Sequence, residues 1–133
     1  MSVIDASAVV RLLLRLPLAD LAERHVFDPR QPASAPDLLN VEVLHALRRF
    51  ERRRELDEAR SSAAIDDLSD LPIVRYPTSA LLDRAGRLRH NVTAYDAMYV
   101  ALAEALDTML VTSDGHLAAA ARDHAHISVV LLE

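Results

Sequence analysis

The sequence predicts an α/β fold with a mostly parallel central sheet, and three observations support that class. Short apolar segments typical of strands recur along the chain. Longer segments with apolar side chains at helical spacing separate them, as in chains that alternate strand and helix. No repeat, linker or low-complexity segment interrupts the 133 residues, so a single domain is expected over residues 1–133.

The predicted elements alternate from the N-terminus onward. The predicted strands are short, largely apolar segments at residues 2–5, 73–76, 109–111 and 127–132. The predicted helices carry apolar residues at helical spacing and cover residues 7–16, 18–24, 38–50, 55–68, 79–88, 94–106 and 115–122. Pro17 and Pro77 end the first helix and the second strand. Three prolines between residues 28 and 36 predict a loop there.

Capping residues support the helix starts. Asp37, Thr93 and Asp114 each precede a helical segment and are residue types favoured at the N-cap. Thr78 or Ser79 is expected to cap the helix that ends at residue 88.

The composition excludes several kinds of chemistry. The chain has no Cys, which excludes disulfides, thiolate catalysis and Cys-based zinc sites. It also has no Lys, which excludes a phosphate-binding loop lysine and Schiff-base catalysis. Its glycines, Gly86 and Gly115, are too few for a glycine-rich nucleotide loop. No apolar run approaches the ~20 residues of a membrane span, so we expect a cytoplasmic protein without a membrane segment.

Two carboxylates follow predicted strands. Asp5 ends the first strand, and Asp114 comes shortly after the third. Ligand sites in open parallel sheets lie beyond the carboxyl ends of strands, so both residues are candidate site residues. Each also has a second interpretation as the N-cap of the helix that follows it.

Two further carboxylates lie within apolar helical segments. Glu42 is flanked by Val41 and Val43, and it either reaches the solvent at a boundary or needs a partner. Asp96 belongs to a segment that is apolar nearly all round and is therefore expected to be buried. Its second interpretation is a position in the first helical turn, where a negative charge interacts well with the helix dipole.

These four carboxylates predict a metal site if the fold brings them together. Like charges in one place raise each other's pKa, so the cluster needs compensation. Mg²⁺, or alternatively Mn²⁺, suits a site made of oxygen ligands. The chemistry expected of such a site is hydrolysis of phosphodiester bonds.

Four segments in this order resemble the PIN-domain ribonucleases, specifically the VapC-type toxins of bacterial toxin–antitoxin pairs. The segments are VIDASA at residues 3–8, EVLHAL at 42–47, YDAMYVALA at 95–103 and LVTSD at 110–114. The resemblance implies a PIN-like α/β/α sandwich and a metal-dependent endoribonuclease that leaves 5′-phosphate and 3′-hydroxyl ends.

The resemblance also implies roles for individual residues. The acidic positions of the family fall on Asp5, Glu42, Asp96 and Asp114. The first metal is expected on Asp5 and Asp96, with the other two completing the cluster and one of them accepting the proton of the attacking water. Ser7 and Thr112 are expected to support the site through hydrogen bonds. His45 stands where relatives often carry Asn, and it is interpreted as a surface histidine.

Partners are expected from the same resemblance: an RNA substrate, a cognate antitoxin and a second copy of the chain in a homodimer. The basic segment that follows Glu42 contains Arg48, Arg49, Arg52, Arg53 and Arg54, although the net charge of the chain is −5. These arginines are expected either to hold the RNA backbone or to be a solvated helix end. The alternative function is a catalytically inert PIN-like module that binds RNA or protein.

Overall fold

Five parallel strands form the central sheet of the computed structural model, which describes all of residues 1–133. The strands are β1 (Ser2–Ile4), β2 (Ala33–Pro36), β3 (Ile73–Tyr76), β4 (Met109–Thr112) and β5 (Val129–Leu131). Their order across the sheet is β3-β2-β1-β4-β5, so β1 is central and pairs with β2 and β4. The predicted α/β class with a parallel sheet is confirmed.

Seven helices cover the two faces of the sheet. They are α1 (Ala6–Leu14), α2 (Ala19–Val26), α3 (Leu38–Arg52), α4 (Glu58–Asp70), α5 (Leu82–Arg87), α6 (Ala94–Ala105) and α7 (Gly115–His124). Helix α1 packs against α2, α3 and α4, whereas α6 packs against α5 and α7. These two groups of helices enclose the sheet, which confirms the expected α/β/α arrangement. None of the helices is both long and apolar enough to cross a lipid bilayer.

The loop predicted between residues 28 and 36 is wrong for its second half, because β2 lies there. Ala33, Ser34 and Ala35 are buried between β1 and β3, yet none of them is a residue type enriched in strands. Pro36 is the last residue of the strand, and it has no backbone N–H to donate to a neighbouring strand. Pairing with two neighbouring strands therefore makes this segment a strand, although its own residue types do not predict one.

Other boundaries differ by a few residues. The segment predicted as a helix from residue 79 begins with a 3₁₀ turn, Thr78–Leu81, and continues as α5. Helix α4 begins after Asp57, whose carboxylate accepts a hydrogen bond from the Arg60 N–H. Asp37 occupies the N-cap position of α3 but makes no capping hydrogen bond with its side chain. The N-cap positions of Thr93 and Asp114 are confirmed.

The chain leaves β1 and β4 on opposite faces of the sheet. After β1 it enters α1 in the first helical layer, and after β4 it enters α7 in the second layer. Adjacent parallel strands whose connections diverge in this way open a crevice at their carboxyl ends. This crevice is the place where the fold positions a ligand site.

Candidate functional site

Asp5 lies at the carboxyl end of β1 and is only 5% exposed. It caps α1, because its Oδ1 accepts a hydrogen bond from the Ala8 N–H at 3.2 Å. The Ser7 hydroxyl donates to both carboxylate oxygens, at 2.8 and 2.9 Å, and the Thr112 hydroxyl donates to Oδ2 at 2.8 Å. Both interpretations of Asp5 from the sequence, as a helix cap and as an inward-facing acid, therefore hold together.

Burial dominates the electrostatics of Asp5. Loss of solvation raises its pKa from the ordinary value of 3.8 to about 6, although its three hydrogen-bond donors oppose that rise. The negative charge of Asp114 adds to it. At neutral pH this carboxylate is charged in a place that disfavours the charge, so a cation beside it would be stabilising.

Ser7 and Thr112 tie the ends of β1 and β4 together around Asp5. The Ser7 Oγ accepts a hydrogen bond from the Ser113 N–H at 3.0 Å, and the Thr112 Oγ1 accepts one from the Asp114 N–H at 2.9 Å. Thr112 is fully buried. Because each hydroxyl also donates to Asp5, the backbone after β4 is held in register with the carboxylate.

Asp96 and Asp114 lie at the N-termini of two helices in the second layer. Asp114 caps α7, with its Oδ1 accepting from the His116 N–H at 2.9 Å. Asp96 is half-buried in the first turn of α6, and its own N–H donates to the capping Thr93 hydroxyl at 3.2 Å. Burial raises the pKa of Asp96, and the charge of Asp114 raises it further. Asp114 is therefore the N-cap of its helix and Asp96 a first-turn residue, and both also line the cavity described below.

Glu42 reaches the same crevice from α3 in the opposite layer. The residue is half-buried, and its Oε1 is a buried atom without a hydrogen-bond partner. Burial raises the pKa of Glu42, the facing Tyr99 hydroxyl opposes that rise, and the charges of Asp96 and Asp114 add to it. A buried carboxylate oxygen without a partner is costly, which marks this oxygen as available to a ligand.

One cavity of about 900 Å³ brings these side chains together. The predicted acids all line it: Asp5, Glu42, Asp96 and Asp114. None of the five salt bridges in the structure includes one of these four carboxylates. The cavity therefore concentrates negative charge that no arginine neutralises directly.

A divalent cation fits the chemistry of this cavity. No group of three or more His, Asp or Glu side chains is arranged so that it could hold a metal ion as it stands. Mg²⁺, however, binds proteins through one or two carboxylates and completes its shell with water and substrate phosphate oxygens. The unpartnered Glu42 Oε1 is the observation that such a cation would account for.

The basic segment is only partly connected to the cavity. Of its five arginines only Arg49 lines the cavity, while Arg48, Arg52, Arg53 and Arg54 are exposed elsewhere on the surface. Among the cavity residues that the sequence reasoning did not single out are Arg11 and Tyr99. Arg11 lies inside a predicted helix without a distinguishing pattern, whereas Tyr99 belongs to the motif around Asp96 and had a signal of its own. His45 is exposed and also lines the cavity.

Together, the parallel sheet and the carboxylates at its carboxyl edge, which form no salt bridges, define an α/β protein with an acidic cavity at that edge. The PIN domain family matches this chain over residues 2–123. The chain therefore belongs to the PIN domain family.

Named relatives make the assignment more specific. Ribonuclease VapC1 of Mycobacterium tuberculosis is 46% identical over 119 residues, which are 89% of this chain and 89% of the relative. Ribonuclease VapC9 and Ribonuclease VapC12 of the same organism are 37% and 35% identical over 130 residues, 98% of this chain and 98–99% of each relative. A solved structure, PAE2754 from Pyrobaculum aerophilum, is similar with a TM-score of 0.65 and 26% identity over 95% of this chain and 89% of that one.

Proposed function

We propose that this protein is an endoribonuclease toxin of the VapC type, which hydrolyses RNA phosphodiester bonds with Mg²⁺ or Mn²⁺. The observation that carries the proposal is the convergence of four carboxylates without a counter-ion in one cavity. The ribonuclease names of relatives that are 35–46% identical over most of their length support RNA as the substrate.

The acids divide into two roles in this proposal. Asp5 and Asp96 hold the cation directly, and Glu42 and Asp114 complete its surroundings. When bound, the cation activates water and neutralises charge on the phosphate. Ser7 and Thr112 keep the Asp5 oxygens oriented, because both hydroxyls donate to that carboxylate.

Glu42 is our choice for the base that accepts the proton of the attacking water. Its Oε1 is free of hydrogen bonds, and its raised pKa brings it closer to the working pH, which favours proton transfer. The water oxygen then bonds to phosphorus as the bond from phosphorus to the 3′-oxygen of the preceding nucleotide breaks, and that oxygen takes a proton from solvent. The products carry a 5′-phosphate and a 3′-hydroxyl.

The proposed substrate path runs from the carboxylates towards Arg11 and Arg49. Both arginines line the same cavity, and Arg11 donates a hydrogen bond to the Pro17 carbonyl at 2.9 Å, which holds its side chain in place. Arg49 and Arg11 would then contact backbone phosphates beside the cleaved bond. Arg48, Arg52 and Arg53 would bind more distant phosphates.

The further proposals are a cognate antitoxin that covers the cavity, a homodimer, and activity in the cytoplasm.

RNA cleavage in the presence and absence of metal tests the proposal. Purified protein incubated with total cellular RNA should cut it in Mg²⁺ or Mn²⁺, stop in EDTA and recover when metal is restored. Asp96→Asn should lower the rate at least about 100-fold, because even residues that only support metal ligands contribute roughly 10- to 100-fold. Sequencing the cut ends would identify the target.

Asp66→Asn, an exposed acid on α4, is the matched control and should cleave at the wild-type rate. Circular dichroism should show that both variants are folded. Cleavage that survives complete metal removal would contradict the proposed chemistry. RNA binding without any cleavage would instead favour the inert module.

A further inference from the structure

Two buried polar atoms in the cavity lack hydrogen-bond partners, and they belong to neighbouring residues. Only three buried side-chain oxygens in the protein have no partner, and two of them are Glu42 Oε1 and Tyr99 Oη. Buried polar groups in folded proteins almost always have a partner, so these two exceptions in one cavity need an explanation. Both residues line the cavity that holds the four carboxylates.

Tyr99 approaches Glu42 from the opposite helical layer. It lies three residues after Asp96 on α6, which places both side chains on the same face of that helix. Its side chain is only 2% exposed, so the hydroxyl has little access to solvent. Glu42 is its principal charged neighbour, and Asp5 is the next.

The surroundings of the hydroxyl determine which way it donates. A tyrosine hydroxyl has an ordinary pKa of about 10, so it keeps its proton at neutral pH. The backbone N–H of Ala6 faces the same oxygen and can only donate to it. The carboxylate of Glu42 can only accept when ionised. The tyrosine proton is therefore directed at Glu42.

We propose that Tyr99 is a positioning residue, whose hydroxyl donates a hydrogen bond to Glu42 and so orients the second carboxylate oxygen towards the cation and the attacking water. This inference rests on the proposed function, because it gives Glu42 its orientation for that reaction. The Tyr99 hydroxyl already faces Glu42 as a hydrogen-bond donor without making a regular hydrogen bond, so the contact would shorten when the cavity is filled. Catalytic hydrogen bonds often tighten in this way only when substrate is bound.

Tyr99→Phe tests this role because it removes one oxygen and leaves the ring. If Tyr99 orients Glu42, the variant should bind Mn²⁺ about 10-fold more weakly and cleave RNA at least about 10-fold more slowly, as expected for the loss of a group that supports a metal ligand. Its melting temperature in EDTA should be equal to or higher than that of the wild type, because the variant no longer buries an unpartnered hydroxyl. Tyr76→Phe, on β3 and outside the cavity, is the matched control and should change none of these quantities.

A double-mutant cycle distinguishes action through Glu42 from a direct effect. In a Glu42→Gln background, Tyr99→Phe should cause no further loss of Mn²⁺ affinity, measured by titration calorimetry. Additive losses would overturn the proposal, because they would show that the two residues act separately.

The remaining outcomes separate this inference from the function on which it rests. If the wild type binds Mn²⁺ and cleaves RNA but Tyr99→Phe does both equally well, the positioning role is overturned and the ribonuclease proposal stands. A lower melting temperature with unchanged Mn²⁺ affinity would assign Tyr99 to packing alone and overturn it too. If the wild type neither binds Mn²⁺ nor cleaves RNA, the proposed function itself fails.

Discussion

The two ends of α6 treat their carboxylates in opposite ways. Near its C-terminus, Glu104 accepts two hydrogen bonds from the guanidinium of Arg84 on α5, at 2.6 and 2.8 Å. Near its N-terminus, Asp96 lies near the carboxylates of Asp114 and Glu42 as well as His116, and it forms no salt bridge. The C-terminal end is arranged as a structural contact. The N-terminal end keeps negative charge in a cavity without an arginine partner. Such an arrangement does not stabilise the fold, so it indicates a ligand site.

The difference is also visible in the donors that each carboxylate receives. Glu104 is paired with a positive charge, and the Arg84 guanidinium additionally donates to the His124 carbonyl at 3.3 Å, which links α5 to the end of α7. Asp5, in the acidic cavity, receives only neutral donors. Neutral donors orient a carboxylate without cancelling its charge, so they leave it able to bind a cation.

The largest effect that would sharpen this comparison is expected from Asp5→Asn. The difference between an ordinary pKa of 3.8 and about 6 in the folded protein corresponds to roughly 3 kcal/mol of destabilisation at neutral pH. The metal-free variant should therefore be more stable than the wild type at pH 7 by up to that amount, and it should not cleave RNA. Urea unfolding in EDTA would measure the gain.

The pH dependence follows from the same shift. Between pH 4 and pH 6 the folded wild type binds more protons than the unfolded chain, because its Asp5 pKa is raised, so its stability should fall as the pH rises through this range. Asp5→Asn should lose this part of the slope, and the exposed control Asp66→Asn should keep it. An Asp5→Asn protein that is less stable than the wild type at pH 7 would mean that hydrogen bonds to the carboxylate outweigh its burial.

An intermediate effect, of opposite sign, is expected at the other end of α6. Arg84→Gln removes the charged partner of Glu104 and should lower the free energy of unfolding by about 1 kcal/mol, since the pair is partly exposed. RNA cleavage should be unchanged because Arg84 does not line the cavity. Arg87→Gln is the control from the same helix, and its more exposed pair with Asp83 should matter less. Loss of cleavage in Arg84→Gln would contradict the view that the C-terminal end of α6 is structural and only its N-terminal end serves the reaction.

The smallest effect is expected from Arg49→Gln, which tests the basic side of the cavity. RNA binding in EDTA should weaken, and the slope of log Kd against log salt should fall by about 0.7 for one lost contact to single-stranded RNA. Arg122→Gln, an exposed arginine on α7 outside the cavity, should leave the slope unchanged. An unchanged slope for Arg49→Gln would favour the alternative interpretation, in which this arginine belongs to a solvated helix end and does not contact RNA.

Much of the fold was predictable because local rules act strongly in this chain. The strand at Ile73–Tyr76 and the caps Thr93 and Asp114 lie where the sequence predicts them. Strand β2 was not predictable, because its small and turn-type residues carry no strand pattern. Pairing between β1 and β3 overrides those weak preferences, and a sequence window cannot contain that information.

The sequence by itself determined the chemistry available to this protein: an oxygen-rich set of acids, no Lys, no Cys, and the ordered motifs of the PIN domain family. Tertiary structure decided the pKa values of the site residues and which side chains lie next to one another. Thr112 donates to Asp5 across 107 residues of sequence, and burial alone accounts for the largest part of the raised Asp5 pKa. Tyr99 faces Glu42 only because two helical layers meet at the crevice. Solvation and long-range neighbours depend on the packed fold, whereas residue type and local pattern do not.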